Sequence, residues 1–167
     1  MTTRAAFNRQ YTDYSPGGQQ VWLVNGAGVT TSPSRSQSFT AGAALIQGQV
    51  VYVSGTYVLP ASAASGVAAE LYNPVGITAA AASLSSSVEV ILDDTAVISA
   101  ANLTADTALV PGQYYYLSKY TGQLTRYNTA SGVVTSSGGY AAAVNVGIAL
   151  SNTELQVEIE PPVILYD

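Results

Sequence analysis

The chain has 167 residues, enough for one domain with a real core or for two small modules sharing one. Only 9% of residues are charged against 48% hydrophobic, and alanine, Ser, Thr and Gly dominate, which is the composition of a β-rich, turn-rich structural protein. A net charge of −5 with five scattered Lys and Arg argues against nucleic acid as a main partner, and a chain without His or Cys has no disulfides, thiol nucleophiles, imidazole bases or ordinary zinc sites.

Residues 1–38 read as an extended N-terminal arm followed by a short hairpin. Arg4, Arg9 and Arg35 stand against Asp13 there, while residues 39–167 hold Lys119 and Arg126 against nine carboxylates, so a mildly basic arm precedes an acidic body. Either these are scattered solubility charges or the arm docks on an acidic surface. Phe7, Tyr11 and Tyr14 are too few to form a core of their own, and Ser15-Pro16-Gly17-Gly18 interrupts any helix or strand. Val21-Trp22-Leu23-Val24 predicts a short strand ending at Asn25-Gly26-Ala27-Gly28, with Trp22 either an interface anchor or a plug in the body's own core. The glycines there do not make a dinucleotide loop, because Thr30-Thr31-Ser32-Pro33 cannot open the helix that loop requires. Thr30 to Ser38 reads as a linker. The start of the chain lacks the apolar core of a signal peptide and no apolar run is long enough to span a bilayer, so no membrane is expected and synthesis in a cytoplasm is.

The next stretch, Phe39 to Ser54, is written twice. At an offset of 64 it returns as Leu103 to Ser118, sharing Thr40/Thr104, Ala41/Ala105, Ala44/Ala108, Leu45/Leu109, Gly48/Gly112, Gln49/Gln113, Tyr52/Tyr116 and Ser54/Ser118, or 8 identities in 16 positions. Pro74-Val75-Gly76-Ile77-Thr78 returns as Asn145-Val146-Gly147-Ile148-Ala149, and Val88-Glu89-Val90 as Val157-Glu158-Ile159. The chain therefore divides into the arm at 1–38, a first β-unit at 39–102 and a second at 103–167. The expected fold is all-β: two tandem copies of a small antiparallel β-unit, either a sandwich or barrel-like, behind the arm.

Within the first unit, Val50 to Val53 and Tyr57 to Leu59 form a hairpin about Ser54-Gly55, Val75 to Ile77 is a strand, and Ala79 to Ser87 is a loop because its counterpart at Leu150 to Thr153 is too short for a helix. Residues 61–69 fit either a loop or a helical turn. Val88 to Leu92 and Ala96 to Ile98 close the unit as strands about Asp93-Asp94. In the second unit Tyr114-Tyr115-Tyr116 puts its outer rings on one face and its middle ring on the other, so at least one face is core. From Glu154 to Glu160, apolar Leu155, Val157 and Ile159 alternate with polar residues, as in a strand with one buried face. Pro161-Pro162 stops that strand. The tail Val163-Ile164-Leu165-Tyr166-Asp167 is an apolar edge that needs a pairing partner.

Asp93-Asp94, with Asp106 or Glu89, are the residues that approach a hard-cation set, but adjacent acids in a turn are ordinarily solvated turn residues, and no metal or cofactor is assigned. No carboxylate pair is singled out for glycoside hydrolysis. Asn102-Leu103-Thr104 matches the glycosylation sequon by chance in a chain without a secretory signal. The 12 tyrosines are read either as contact surface or, for most of them, as sheet packing.

The repeated pattern, Leu45 and Leu109 followed by Gly48-Gln49 and Gly112-Gln113, Tyr52 and Tyr116, Ser54 and Ser118, then Val-Gly-Ile and a Val-Glu-Val or Val-Glu-Ile strand, resembles small β-domains of tailed-bacteriophage virions. It looks most like their capsid decoration or cement proteins and covers residues 39–160. The resemblance implies a non-enzymatic virion structural protein on the outer capsid surface, clamping neighbouring major capsid subunits, with a homo-oligomer, a trimer in particular, as the expected state. The contact residues expected on that reading are Arg4, Phe7, Arg9, Tyr11, Tyr14, Trp22, Ile164, Leu165 and Tyr166. A phage tail or head-fibre module is the alternative, and a carbohydrate-binding module using Trp22 and exposed tyrosines is a third.

Overall fold

The first strand, β1, is Arg35–Ala41, and it opens four residues inside the stretch that composition assigns to the linker. The structure is a computed structural model that describes residues 35–126, 134–135 and 137–165. Ser36, Gln37 and Ser38 have modest strand propensity, but they pair antiparallel with Ile91, Val90 and Glu89, and pairing with an apolar strand outweighs local preference. Residues 35–38 therefore belong to β1 rather than to a linker.

The first unit continues with β2 (Val50–Ser54), β3 (Tyr57–Pro60), β4 (Pro74–Thr78) and β5 (Ser87–Asp93). Its strands close into a barrel in the order β1-β3-β2-β4-β5. β1 runs parallel to β3 and antiparallel to β5, and the β2–β3 hairpin forms as expected about Ser54↔Tyr57. Residues 79–86 form a loop, pinned by paired hydrogen bonds between Leu45 and Ala82 of 2.8 and 3.0 Å. Ala61 to Ala63 run buried between the two units, and a 3-10 turn follows at Ala69–Tyr72.

The second unit comprises β6 (Thr95–Val97), β7 (Leu103–Thr104), β8 (Tyr114–Leu117), β9 (Leu124–Arg126), β10 (Ala142–Ala143), β11 (Asn145–Ala149), β12 (Glu154–Val157) and β13 (Val163–Ile164). Six of these make a curled sheet in the order β6-β12-β11-β8-β9-β7, and β10 pairs with β13. The protein is all-β, and the two units are strand-for-strand copies: β7, β8, β9, β11 and β12 hold the positions of β1, β2, β3, β4 and β5.

The register shows how far the copying goes. A bulge leaves Val75 unpaired between Val51↔Gly76 and Tyr52↔Pro74, and a matching bulge leaves Val146 unpaired between Tyr115↔Gly147 and Tyr116↔Asn145. Beside the bulges, a Cβ on Gly76 would run into the Ile91 carbonyl and one on Gly147 into the Gln156 carbonyl. These pairings equate Ile91 with Gln156 and Val90 with Leu155. The similarity of Val88-Glu89-Val90 to Val157-Glu158-Ile159 is therefore displaced by four residues from the true equivalence, because both strands carry the same alternation and an alternating pattern aligns equally well after an even shift.

β6 departs from the sequence expectation. It does not close the first unit about Asp93-Asp94 but pairs with β12, through Thr95↔Gln156 and Val97↔Glu154. In the first unit Ser36 faces Ile91 and Ser38 faces Glu89. β6 is thus the counterpart of the first half of β1, and β7 of its second half. A 3-10 turn at Ala100–Asn102 breaks the strand between them.

Val50, Val51 and Tyr52 are consecutive and all buried, so both faces of β2 are covered. Val51 packs inside the barrel with Ala41, Leu45, Val58, Val88 and Val90. Val50, Tyr52 and Ile77, on the barrel's outer face, belong instead to a larger core with Tyr115, Leu117, Leu124, Leu155 and Val157 of the second unit. Each such side chain removed from water contributes roughly 1.5–3 kcal/mol. Polar seams fix the docking: Val50 N–H donates to Gly122 O at 3.0 Å, Gly122 N–H to Ala61 O at 2.6 Å, and the Ser62 hydroxyl to Lys119 O at 2.9 Å.

Candidate interaction surfaces

The apolar tail is the expected contact element that falls within the described residues. Its β13 pairs antiparallel with β10 of the same chain, Ile164 opposite Ala142 and Val163 opposite Ala143. The edge that the sequence leaves in need of a partner is thus covered from within. Val163 and Ile164 remain exposed, with Val163 at 63%. Leu165 does not: it packs against the larger core, and its N–H donates to Ala141 O at 3.0 Å. Leu165 is thus half-buried beside the core, next to the exposed Val163 and Ile164. Arg4, Phe7, Arg9, Tyr11, Tyr14, Trp22 and Tyr166 lie outside the described residues, as does Gly26-Ala27-Gly28.

A second surface lies on the outer face of the curled sheet. Register places Thr95, Gln156, Ile148 and Tyr114 in one row across β6, β12, β11 and β8. In the next row Val97 faces Glu154, and Leu150 N–H donates to Glu154 O at 2.8 Å where the β11–β12 hairpin turns. Tyr114 and Leu150 are each 53% exposed and Val97 50%. The middle ring of the tyrosine triplet, Tyr115, is fully buried, so the alternation read from the sequence holds and the wet face is Tyr114's. Leu150 and Val97 carry no signal in the sequence, because an isolated apolar residue beside a turn looks the same whether it points in or out.

The carboxylates do not converge. Asp93 faces Arg35 at 4.0 Å in an exposed pair, Glu89 accepts a hydrogen bond from Ser36, and Asp106 pairs with Arg126 at 3.2 Å where both are largely buried. Among the described residues no three His, Cys, Asp or Glu side chains are grouped to hold a metal ion. Asn102 of the sequon is buried, and its amide donates to Gln47 O at 2.7 Å, which leaves it no access to a glycan. A polar groove of about 460 Å³ opens where β1 begins, lined by Arg35, Leu92, Asp93, Gln156, Val157, Glu158 and Ile159.

The Tyr115 hydroxyl accepts the Val110 N–H at 3.0 Å. Burial pushes its pKa above the usual tyrosine value and nearby Asp106 adds to the rise, while the Val110 bond and Arg126 oppose it. This is a packed phenol, held neutral beside the Asp106 carboxylate. Lys119 lies against the Tyr120 and Tyr140 rings, 5.6 and 5.8 Å from their centres, and donates to Gly138 O at 2.9 Å.

Compared with known proteins, the chain matches no protein-family model and no curated protein. Among the described residues no helix is long and apolar enough to cross a membrane.

Proposed function

We propose that this chain is a non-enzymatic virion structural protein, a cement protein that sits on the outer surface of a phage capsid and clamps neighbouring major capsid subunits. The observation that supports the reading is an all-β body, among the described residues, whose first unit closes into a barrel and whose apolar tail pairs within the chain. Closure of that barrel and the internal pairing of the tail leave side-chain surfaces, and on the sequence reading the upstream arm, to make the contacts. An arm lacking a core of its own gains most by wrapping a partner, adding main-chain hydrogen bonds along an exposed sheet edge. Weak attachment repeated over a symmetric shell then accumulates as avidity.

The test is co-sedimentation of the full chain, and of the chain lacking residues 1–33, with capsid shells assembled from the major capsid protein of the same genome. Saturable binding that requires the arm and raises the melting temperature of the shells supports cementing. Failure of the full chain to bind, or equal binding without the arm, overturns it.

A further inference from the structure

The β10–β13 pair has no counterpart in the first unit. Counting back from the matched Asn145 and Pro74, Ala142 and Ala143 fall on Leu71 and Tyr72, which lie in the 3-10 turn at Ala69–Tyr72 rather than in a strand. Counting forward from the matched Gln156 and Ile91, Glu160 falls on Thr95, where the chain of the first unit passes straight into β6. The first barrel closes without such a pair, so the tail strand is an addition to the repeated unit rather than part of its closure.

The tail is attached in two parts. Up to Glu160 the chain is tied to β11, with Glu158 N–H donating to Val146 O at 2.8 Å and Glu160 N–H to Asn145 O at 3.0 Å. Pro161 and Pro162 have no N–H to donate and a fixed φ, so they make a stiff lever with no main-chain donor of its own. Beyond them, among the described residues, the main-chain grip is the ladder of Val163 and Ile164 on Ala143 and Ala142, together with the Leu165 N–H on Ala141 O. Val163 and Ile164 keep their side chains exposed, and only Leu165 packs inward. A ladder this short opens at a lower free energy than the body as a whole.

Ala141 joins this ladder to the seam between the two units. The chain bends there, so that its carbonyl accepts from Leu165 while its N–H donates to Ala63 O at 2.8 Å. Close by, Ser65 N–H donates to Gly139 O at 2.9 Å and Ala63 N–H to Ser118 O at 3.0 Å. Segment 139–143 is therefore held between residues 63–65 of the first unit on one side and the tail on the other.

We propose that residues 161–165 are a clasp, which opens and recloses locally in the folded protein and, while closed, holds segment 139–143 onto residues 63–65 and so tightens one end of the seam. Closed, it also covers the β10 edge against pairing with a foreign strand. Open, it loosens that end of the seam and leaves the Val50 to Gly122 bond in place. The clasp does not depend on the proposed role at a capsid, and its test uses no shells.

The experiment is native-state amide hydrogen exchange, read by NMR at rising sub-denaturing urea, on the full chain, on a chain ending at Glu160, and on Leu165→Pro, which removes the donor to Ala141 at unchanged length. In the wild type the Leu165 amide should exchange by a route insensitive to urea and at least about tenfold faster than Val50, whose exchange should follow global unfolding. In both variants Ala141 and Ser65 should exchange at least about tenfold faster than in the wild type, with a shallower urea dependence than Val50. Three results overturn the clasp. One is a Leu165 amide with the urea dependence of Val50, and another is exchange at Ala141 and Ser65 that neither variant changes. The third is a variant in which Ala141, Ser65 and Val50 share one urea dependence, which would make the tail part of the global folding unit.

Discussion

Gly48 and Asn102 are locked together across the two units: a Cβ at Gly48 would stand 2.8 Å from Asn102 Nδ2 and 2.7 Å from the Val97 carbonyl, with φ at +80°. Gly112 has the same φ in open space. Gly112→Ala should therefore cost only the left-handed strain of an L-residue, about 1–2 kcal/mol. Gly48→Ala adds a steric clash with backbone, for a total of roughly 3 kcal/mol or more. Denaturant midpoints of the two variants measure the difference, and equal losses would mean the units are not pressed together at this turn.

Ile77 and Tyr114 sit on equivalent faces with opposite burial. Ile77→Ala should destabilise by about 2–5 kcal/mol, the range for emptying a core site. Tyr114→Ala in the monomer should change stability by no more than about 0.5 kcal/mol. Chemical unfolding at a concentration low enough to dissociate any oligomer reads both.

The two ion pairs differ in the same sense. Arg35 and Asp93 are well exposed at 4.0 Å, so Arg35→Ala should cost less than about 1 kcal/mol. Arg126 shields a largely buried Asp106 at 3.2 Å, and Arg126→Ala strands that carboxylate, at a cost of about 3 kcal/mol. Asp106→Asn should recover part of the Arg126→Ala loss in the double variant, a coupling that a double-mutant cycle detects.

Tyr115 predicts a loss of stability in alkali. Its folded pKa lies above the ordinary value of 10.0. Below that value the phenol is neutral in both states and its contribution is fully present. As the pH rises past 10.0 the unfolded chain ionises first, so stability falls until the folded pKa is passed. Wild-type midpoints should therefore drop more steeply above pH 10.0 than those of Tyr115→Phe, and parallel curves would remove Tyr115 as the cause.

Much of the strand plan is legible in the sequence because its signals are local. The Ser54-Gly55 turn, the Val-Gly-Ile strands and the alternation of Leu155 with Gln156 are each set by neighbouring residues. The missed features are those that distant pairing decides. Ser36 to Ser38 become a strand through β5, and Ala96 finds Leu155 rather than a strand across Asp93-Asp94. The four-residue slip between Val90 and Leu155 arises because period-two patterns do not fix register on their own. The tail was legible as an apolar edge, but its partner β10 is two alanines, too short and too plain to announce a strand. Tyr114 was visible as half of an ambiguous pair of faces, and only the burial of Tyr115 tells which one is wet.

The broken strand between β6 and β7 also bears on how the protein comes apart. With Val50, Tyr52 and Ile77 of the first barrel completing the interior of the second sheet, the second unit has no complete core without the first, and the first would expose those side chains without the second. Heat or denaturant should accordingly remove both in one cooperative transition, and a fragment ending at residue 102 or starting at 103 should expose the apolar seam and aggregate. The repeat is therefore used asymmetrically: the outer face of one copy serves as the missing interior wall of the other, so a doubled sequence makes a single folding unit.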